Sequence, residues 1–152
     1  MKTNGGFLVT KIKQLGDRIF ERILAKKNID AFNGAQGRIL YVLWQEDGVP
    51  IKIISEKSGL AITSLTTMLE RMEKNGLISR KTDEADKRKT LLFLTYKAKE
   101  LKEAYDSVSN EMGNIYYRDF TDKEILQFEE YLNRIRVNLE EWSDKFFRLE
   151  SL

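Results

Sequence analysis

Apolar residues recur at three- and four-residue spacing along most of the chain, and the interruptions divide it into elements. Leu8, Ile12, Leu15, Ile19 and Ile23 predict an amphipathic helix from about residue 7 to about residue 27. In "NIDAFNGAQGRILYVLWQEDG", Asn33 with Gln36 three positions later has the form of a capping box. It opens a helix carrying Ile39, Leu40, Leu43 and Trp44. "EDGVP" then stops that helix with a glycine and the only proline in the chain.

Two short helical patterns follow, separated by "SGL". The first turns Ile51 and Ile54 inward with the small Ser55 beside them; the second carries Ile62, Leu65, Met68, Leu69 and Met72. Gly59 suits a tight turn at positive φ, and Ser55 lets the two helices cross closely. This is a helix-turn-helix pattern. Gly76 ends the second helix. "LISRKT" and "LLFLT" then read as two strands of a hairpin, with residues 83–89 between them charged at every position but Ala85. A helix-turn-helix followed by a hairpin is a winged helix. The charged tip is then the wing, anchored so that its basic side chains project toward the surface of the second helix.

The remainder is helical. Thr95 is placed to cap a helix bearing Leu101, Tyr105, Val108, Met112 and Ile115. Thr121 and Glu124 form a second capping box, with Phe120 and Ile125 as a hydrophobic staple. The last helix presents Ile125, Phe128, Leu132, Ile135, Leu139, Trp142, Phe146 and Leu149. These two helices run to about 24 and about 29 residues, or about 36 and about 44 Å. A winged-helix core is too small to cover both. Trp142, Phe146, Phe147, Leu149 and Leu152 would leave a large apolar patch on a monomer, so dimerisation through the terminal helices is expected, with a bundle within one chain as the alternative. The expected fold is mainly α: a winged helix-turn-helix lobe with a two-stranded β wing, plus long N- and C-terminal dimerisation helices. It divides into residues 1–32, 33–95 and 96–152.

Composition narrows the chemistry. The 152 residues are 41% hydrophobic and 33% charged, ordinary for a soluble domain with helical arms. No apolar stretch approaches a membrane span and "MKTNGGFLVTKIKQ" lacks a signal-peptide core, so a cytoplasmic protein with no membrane contact is expected. Without Cys or His there is no thiolate metal site, no thiol sensor and no imidazole base. An enzyme would have to run on carboxylates, Lys, Ser or Tyr, and no nucleophile–base pair is visible. No catalytic residue, metal or cofactor is expected. Charge is segregated: residues 50–99 carry 11 Lys and Arg against 6 Asp and Glu, whereas residues 100–152 carry 7 against 13. A basic middle suits a polyanion. It also suits an acidic protein partner, so a winged helix used for protein contact remains the alternative.

The stretch "SGLAITSLTTMLERMEKNGLISRKTDEADKRKTLLFLT" resembles the multiple antibiotic resistance regulator (MarR) family of bacterial transcription factors. In that family a recognition helix ends in leucine-glutamate-lysine-lysine-glycine-leucine, and a wing of Asp-x-Arg type precedes a strand ending in Leu-Thr. Asp86 and Arg88 fall on the Asp-x-Arg pair, and Met72 stands where the family usually has Leu. The resemblance implies a sequence-specific regulator of double-stranded DNA, a homodimer on a pseudo-palindromic operator, acting as a ligand-responsive repressor. It implies that Thr63, Ser64, Thr66 and Thr67 face the major groove, with Arg71, one turn later, reaching a DNA phosphate or pairing with Asp or Glu. For Thr63 and Ser64, helix capping is an equal alternative. Thr67 departs from the family, which often has Arg there. Arg88 would enter the minor groove, Lys87 and Lys89 would supply flanking charge, and Asp86 would orient an arginine. A small aromatic or anionic effector is also implied. Phe7, Tyr41, Trp44 and Tyr105 are candidates to line its pocket, with plain core as the other reading.

Overall fold

The computed structural model describes residues 1–151; Leu152, one of the terminal apolar positions, lies outside the described residues. The elements run α1 (Gly5–Lys26), α2 (Gly34–Gln45), β1 (Val49–Pro50), α3 (Ile51–Ser58), α4 (Ile62–Lys74), β2 (Ile78–Thr82), β3 (Thr90–Leu94), α5 (Tyr96–Glu100), α6 (Lys102–Tyr116) and α7 (Asp122–Glu150). They group into two compact units, Met1–Met112 and Gly113–Leu152.

In the first unit the capping box of α2 is complete. Gln36 N donates to Asn33 Oδ1 at 2.8 Å, and Asn33 N donates to Gln36 Oε1 at 3.1 Å. The turn between α3 and α4 has Gly59 at φ +73°, a conformation open to glycine at little steric expense. Ser55 Oγ donates to the Leu60 carbonyl at 2.7 Å and Ser58 Oγ accepts from Leu60 N at 3.2 Å, so two hydroxyls hold the turn. One side of α4 is core: Leu65, Leu69 and Met72 are fully buried against Ile39, Leu40, Leu43, Ile54 and Leu92. Ile62 departs from the predicted apolar face, being 48% exposed at the open start of α4.

The sheet has three strands where two were expected. Its order is β1-β3-β2, antiparallel throughout, with Val49 opposite Leu92 and Ile78 opposite Leu94. The "DGVP" segment that stops α2 folds back onto β3. Asp47 Oδ1 accepts from Leu94 N at 2.8 Å, and Gly48 N donates to the Leu92 carbonyl at 3.0 Å. Pro50 is tolerated because β1 is an edge strand, where its missing N–H leaves no ladder bond unmade. Gly48 is required twice over. Its φ is +69°, and a Cβ there would sit 2.6 Å from Phe93 Cε1.

The helix expected after Thr95 is broken at Leu101 into α5 and α6. Thr95 does cap it, accepting from Ala98 N at 3.2 Å. At the break, the Ala98 carbonyl accepts both Leu101 N, in a tight three-residue step at 3.2 Å, and Trp44 Nε1 at 3.2 Å. The indole thus satisfies a carbonyl at the junction where the regular ladder is interrupted.

In the second unit, Thr121 and Glu124 form the expected box at the start of α7. Tyr117 Oη donates to Glu129 Oε1 at 2.8 Å, and its ring meets Phe120 and Phe128 edge-on. Burial and the Glu129 carboxylate push the Tyr117 phenol up to about 12. No described residue of α7 is buried. Leu126, Ile135, Leu139, Trp142, Phe146, Phe147 and Leu149 are exposed, with Trp142 and Phe146 stacked at 5.0 Å between ring centres.

Candidate nucleic-acid interface

The buried stripe of α4 fixes what its other side presents. With Leu65, Leu69 and Met72 in the core, the 3.6-residue period turns Thr63, Thr67, Glu70, Arg71 and Lys74 outward, with Ser64 and Thr66 on the flanks; all seven are exposed. Neither Thr63 nor Ser64 caps the helix. The N-cap is Ala61, no side chain closes the first turn, and the first backbone bond runs from Leu65 N to the Ala61 carbonyl at 2.9 Å. The amides of Ile62, Thr63 and Ser64 consequently point out of an open helix start, a favourable place for anionic oxygen. Thr66 Oγ1 donates to the Ile62 carbonyl at 3.0 Å, so its lone pairs remain to accept.

The far end of α4 is fastened to the wing. Thr95 Oγ1 donates to the Gly76 carbonyl at 2.6 Å, Thr95 N donates to the Leu77 carbonyl at 3.1 Å, and Lys97 Nζ donates to the Asn75 carbonyl at 3.1 Å. These bonds satisfy carbonyls left unpaired as the helix ends, and the lysine complements the negative end of its dipole. Arg80 of β2 pairs with Glu73 of α4 at 3.5 Å. The wing and α4 therefore share one rigid frame.

The tip of the wing is ordered by its own side chains. Ala85 N donates to Asp83 Oδ1 at 2.9 Å, and Lys89 N donates to the Asp86 carbonyl at 2.9 Å. Asp86 takes hold of Arg88 three times: Oδ1 accepts from Arg88 N and Nε, both at 3.1 Å, and Oδ2 accepts from Nη2 at 3.3 Å. The Arg88 guanidinium and amide, with Lys89 nearby, hold the Asp86 carboxyl below its ordinary 3.8. The Arg88 side chain itself remains 90% exposed. A fork held by a carboxylate on one edge keeps its other donors free for a second partner.

The aromatic candidates separate. Tyr105 of α6 gathers Tyr41 at 5.8 Å and Trp44 at 5.2 Å between ring centres, and also Phe20 and Phe32, each at 6.1 Å. Phe7 lies on the exposed first turns of α1 and joins none of these ring pairs among the described residues. Phe20 and Phe32 were not singled out in the sequence, although Phe20 follows Ile19 of the apolar seam. Burial, and then the adjacent Tyr41, push the Tyr105 phenol above its ordinary 10.0. A Cβ on Gly37 would come within 3.1 Å of Tyr105 and 3.2 Å of Phe32, so the rings are closely packed.

Comparisons with known proteins agree with this geometry. Residues 32–90 match the MarR family. The chain is 35% identical over 77 residues to the HTH-type transcriptional regulator TtmR of Methylorubrum extorquens (strain PA1), covering 51% of this chain and 40% of that protein. It is 42% identical over 64 residues to the organic hydroperoxide resistance transcriptional regulator of Bacillus subtilis (strain 168), covering 42% and 44%. The matches thus span less than half the length of these two relatives. Among solved structures, a mutant MarR from E. coli complexed with operator DNA superposes with a TM-score of 0.76 at 22% identity, over 86% of this chain and 91% of that one. Bordetella bronchiseptica BpsR, described in terms of regulation of its DNA binding by 6-hydroxynicotinic acid, superposes with a TM-score of 0.78 at 18% identity, over 88% and 99%. No helix among the described residues is long and apolar enough to cross a membrane. The segment from the capped α2 through the helix-turn-helix to the Asp-x-Arg wing is the part of the chain that matches the MarR family, and its fold is that of the solved MarR structure bound to operator DNA.

Proposed function

We propose that the chain is a transcription regulator that binds double-stranded DNA as a homodimer on a pseudo-palindromic operator and acts there as a ligand-responsive repressor. The observation that carries this reading is the Asp86–Arg88 pair, an exposed guanidinium oriented by its neighbour on a wing that is itself clamped to α4. In this reading Thr63, Ser64, Thr66, Thr67 and Arg71 meet the major groove, with the open start of α4 taking a phosphate. Arg88 enters the adjacent minor groove and Lys87 and Lys89 sit beside it. Residues 33–95 form the DNA-binding lobe. Residues 1–32 and 96–152 supply the dimer helices, whose exposed apolar side chains a second copy would cover. A small aromatic or anionic effector would enter at Tyr41, Trp44 and Tyr105 by parting rings that pack on one another in its absence, and the cytoplasm is the compartment in which such a regulator would meet its DNA. The chain's own side chains need no cofactor for this role.

Affinity for a labelled duplex, measured at several salt concentrations, tests the reading. Two basic lobes that neutralise about 6–10 phosphates should lose about 10³–10⁵ in affinity between 50 and 200 mM salt. Binding that ignores salt, or that favours an acidic polypeptide over duplex DNA, would move the wing to protein contact instead.

A further inference from the structure

The outward face of α4 carries an unneutralised carboxylate in the midst of the residues assigned to DNA. Glu70 stands in line with Thr63 and Thr67, at the i+7 and i+3 positions, and is exposed. The other carboxylate of this helix, Glu73, is held by Arg80 at 3.5 Å. Glu70 has Lys74 at i+4, the favoured orientation for an ion pair, yet no such pair forms among the described residues. Elsewhere the chain makes i,i+4 pairs readily, at Lys13–Asp17, Lys102–Asp106 and Arg136–Glu140. The first two turns of α4 offer only short hydroxyls beside Ile62, so Glu70 and Arg71 are the first long polar side chains available to reach a base edge.

A bare carboxylate facing a polyanion is unfavourable unless a donor receives it. In the major groove two amino groups donate, cytosine N4–H2 and adenine N6–H2. Adenine sets the N7 acceptor beside its donor, which repels a second carboxylate oxygen, whereas the guanine and thymine edges offer only acceptors, so cytosine is the base a glutamate suits best. We propose that Glu70 is a specificity-determining residue that reads a cytosine in each half-site by accepting a hydrogen bond from N4. This deepens the DNA-binding reading and rests on it. With Arg71 adjacent and suited to guanine O6 and N7, the half-site should hold a G·C pair beside the cytosine.

Selection of bound duplexes from a random pool, run with the full chain and with the Glu70→Ala and Glu70→Gln variants, tests this. The unaltered chain should select one cytosine at symmetry-related positions. Glu70→Ala should relax that position by about tenfold while the other positions keep their preferences. Glu70→Gln should shift it toward adenine, which an amide reads through N6 and N7. A Glu70→Ala consensus identical to the original, with affinity raised equally for every duplex, would show that the carboxylate merely repels and would overturn the assignment. Failure of the unaltered chain to select any duplex would remove the DNA-binding reading, and this assignment with it.

Discussion

The hydroxyl of Thr95 donates to the carbonyl of Gly76 at 2.6 Å, joining the end of β3 to the turn that closes α4. The same oxygen accepts from Ala98 N at 3.2 Å to cap α5. One side chain thus closes one helix, opens another and fixes the wing to α4. Thr95→Ala should destabilise the lobe by about 0.5–2 kcal/mol in urea unfolding. It should also weaken operator binding, although Thr95 is assigned no contact with DNA. Thr95→Ser, which keeps the oxygen, should recover most of both effects. Equal losses from Ser and Ala would move the role from the hydroxyl to the methyl group.

Arg88→Ala should weaken specific binding by about 1–3 kcal/mol with the unfolding midpoint unchanged, since the side chain packs against nothing in the core. Asp86→Asn should cost less and should leave Arg88 disordered at the tip. Because the Asp86 carboxyl is held below its ordinary 3.8, its grip on Arg88 is fully present above that value. The grip is lost only as pH falls through the lowered value. Operator affinity should therefore show no step assignable to Asp86 between pH 5 and 8 when the ionic strength is held constant.

Much of this architecture was legible beforehand, for identifiable reasons. Asn33–Gln36 and Thr121–Glu124 are local, reciprocal hydrogen-bond motifs, and each formed as read. The stripe of Leu65, Leu69 and Met72 set which side of α4 faces outward. Where tertiary contacts decided, the pattern was silent. β1 is a two-residue strand held by Asp47 and Gly48 on β3, with no alternation long enough to announce it. The break at Leu101 depends on an indole donor from α2, 54 residues before Ala98. Ile62 matched the apolar spacing but lies at an open helix end with no core opposite it. Phe20 and Phe32 joined the aromatic group because α1 and the segment before α2 converge on Tyr105, which spacing alone does not encode. For the wing, Asp-x-Arg spacing was readable, while its attachment through Lys97 and Arg80 was not.

Glycine substitutions should separate strain from crowding. Gly59→Ala meets no atom within 4 Å, so its cost is that of an alanine at φ +73°, about 1–2 kcal/mol. Gly48→Ala carries the same backbone cost and also drives a methyl into Phe93, adding about 1–3 kcal/mol. Thermal melts of the two variants should rank Gly48→Ala clearly lower. Equal midpoints would mean that Phe93 moves aside freely.

Electrostatic attraction to the duplex should be local to the wing. Charge reversal at Lys87 and Lys89 should flatten the salt dependence of duplex binding, by about one unit of slope for each phosphate that the dimer no longer neutralises. Reversal at Lys123 and Lys145, in the acidic C-terminal stretch, should leave the slope unchanged. If all four reversals act alike, the attraction is diffuse and no defined interface exists.

Tyr117 offers a titration signal in the second unit. Its phenol is raised above the ordinary 10.0, so the bond to Glu129 is fully present below pH 10 and is lost as pH rises through about 12. Phenolate absorbance should show Tyr105 and Tyr117 titrating later than an ordinary tyrosine, and Tyr117→Phe should remove the component near 12 while leaving that of Tyr105. Retention of the component near 12 in that variant would assign it elsewhere.

The open start of α4 sets thermal strength against grip. Ala61 occupies the position where serine or aspartate would accept from the amide of Thr63 or Ser64. An Ala61→Ser change should therefore make the lobe more heat-resistant by about 1 kcal/mol, through a bond entirely internal to the protein. That bond would occupy a donor a phosphate oxygen needs, so the hardier variant should be the poorer binder. The alanine leaves this end of the helix incomplete when the protein is alone, and the partner would then supply the cap.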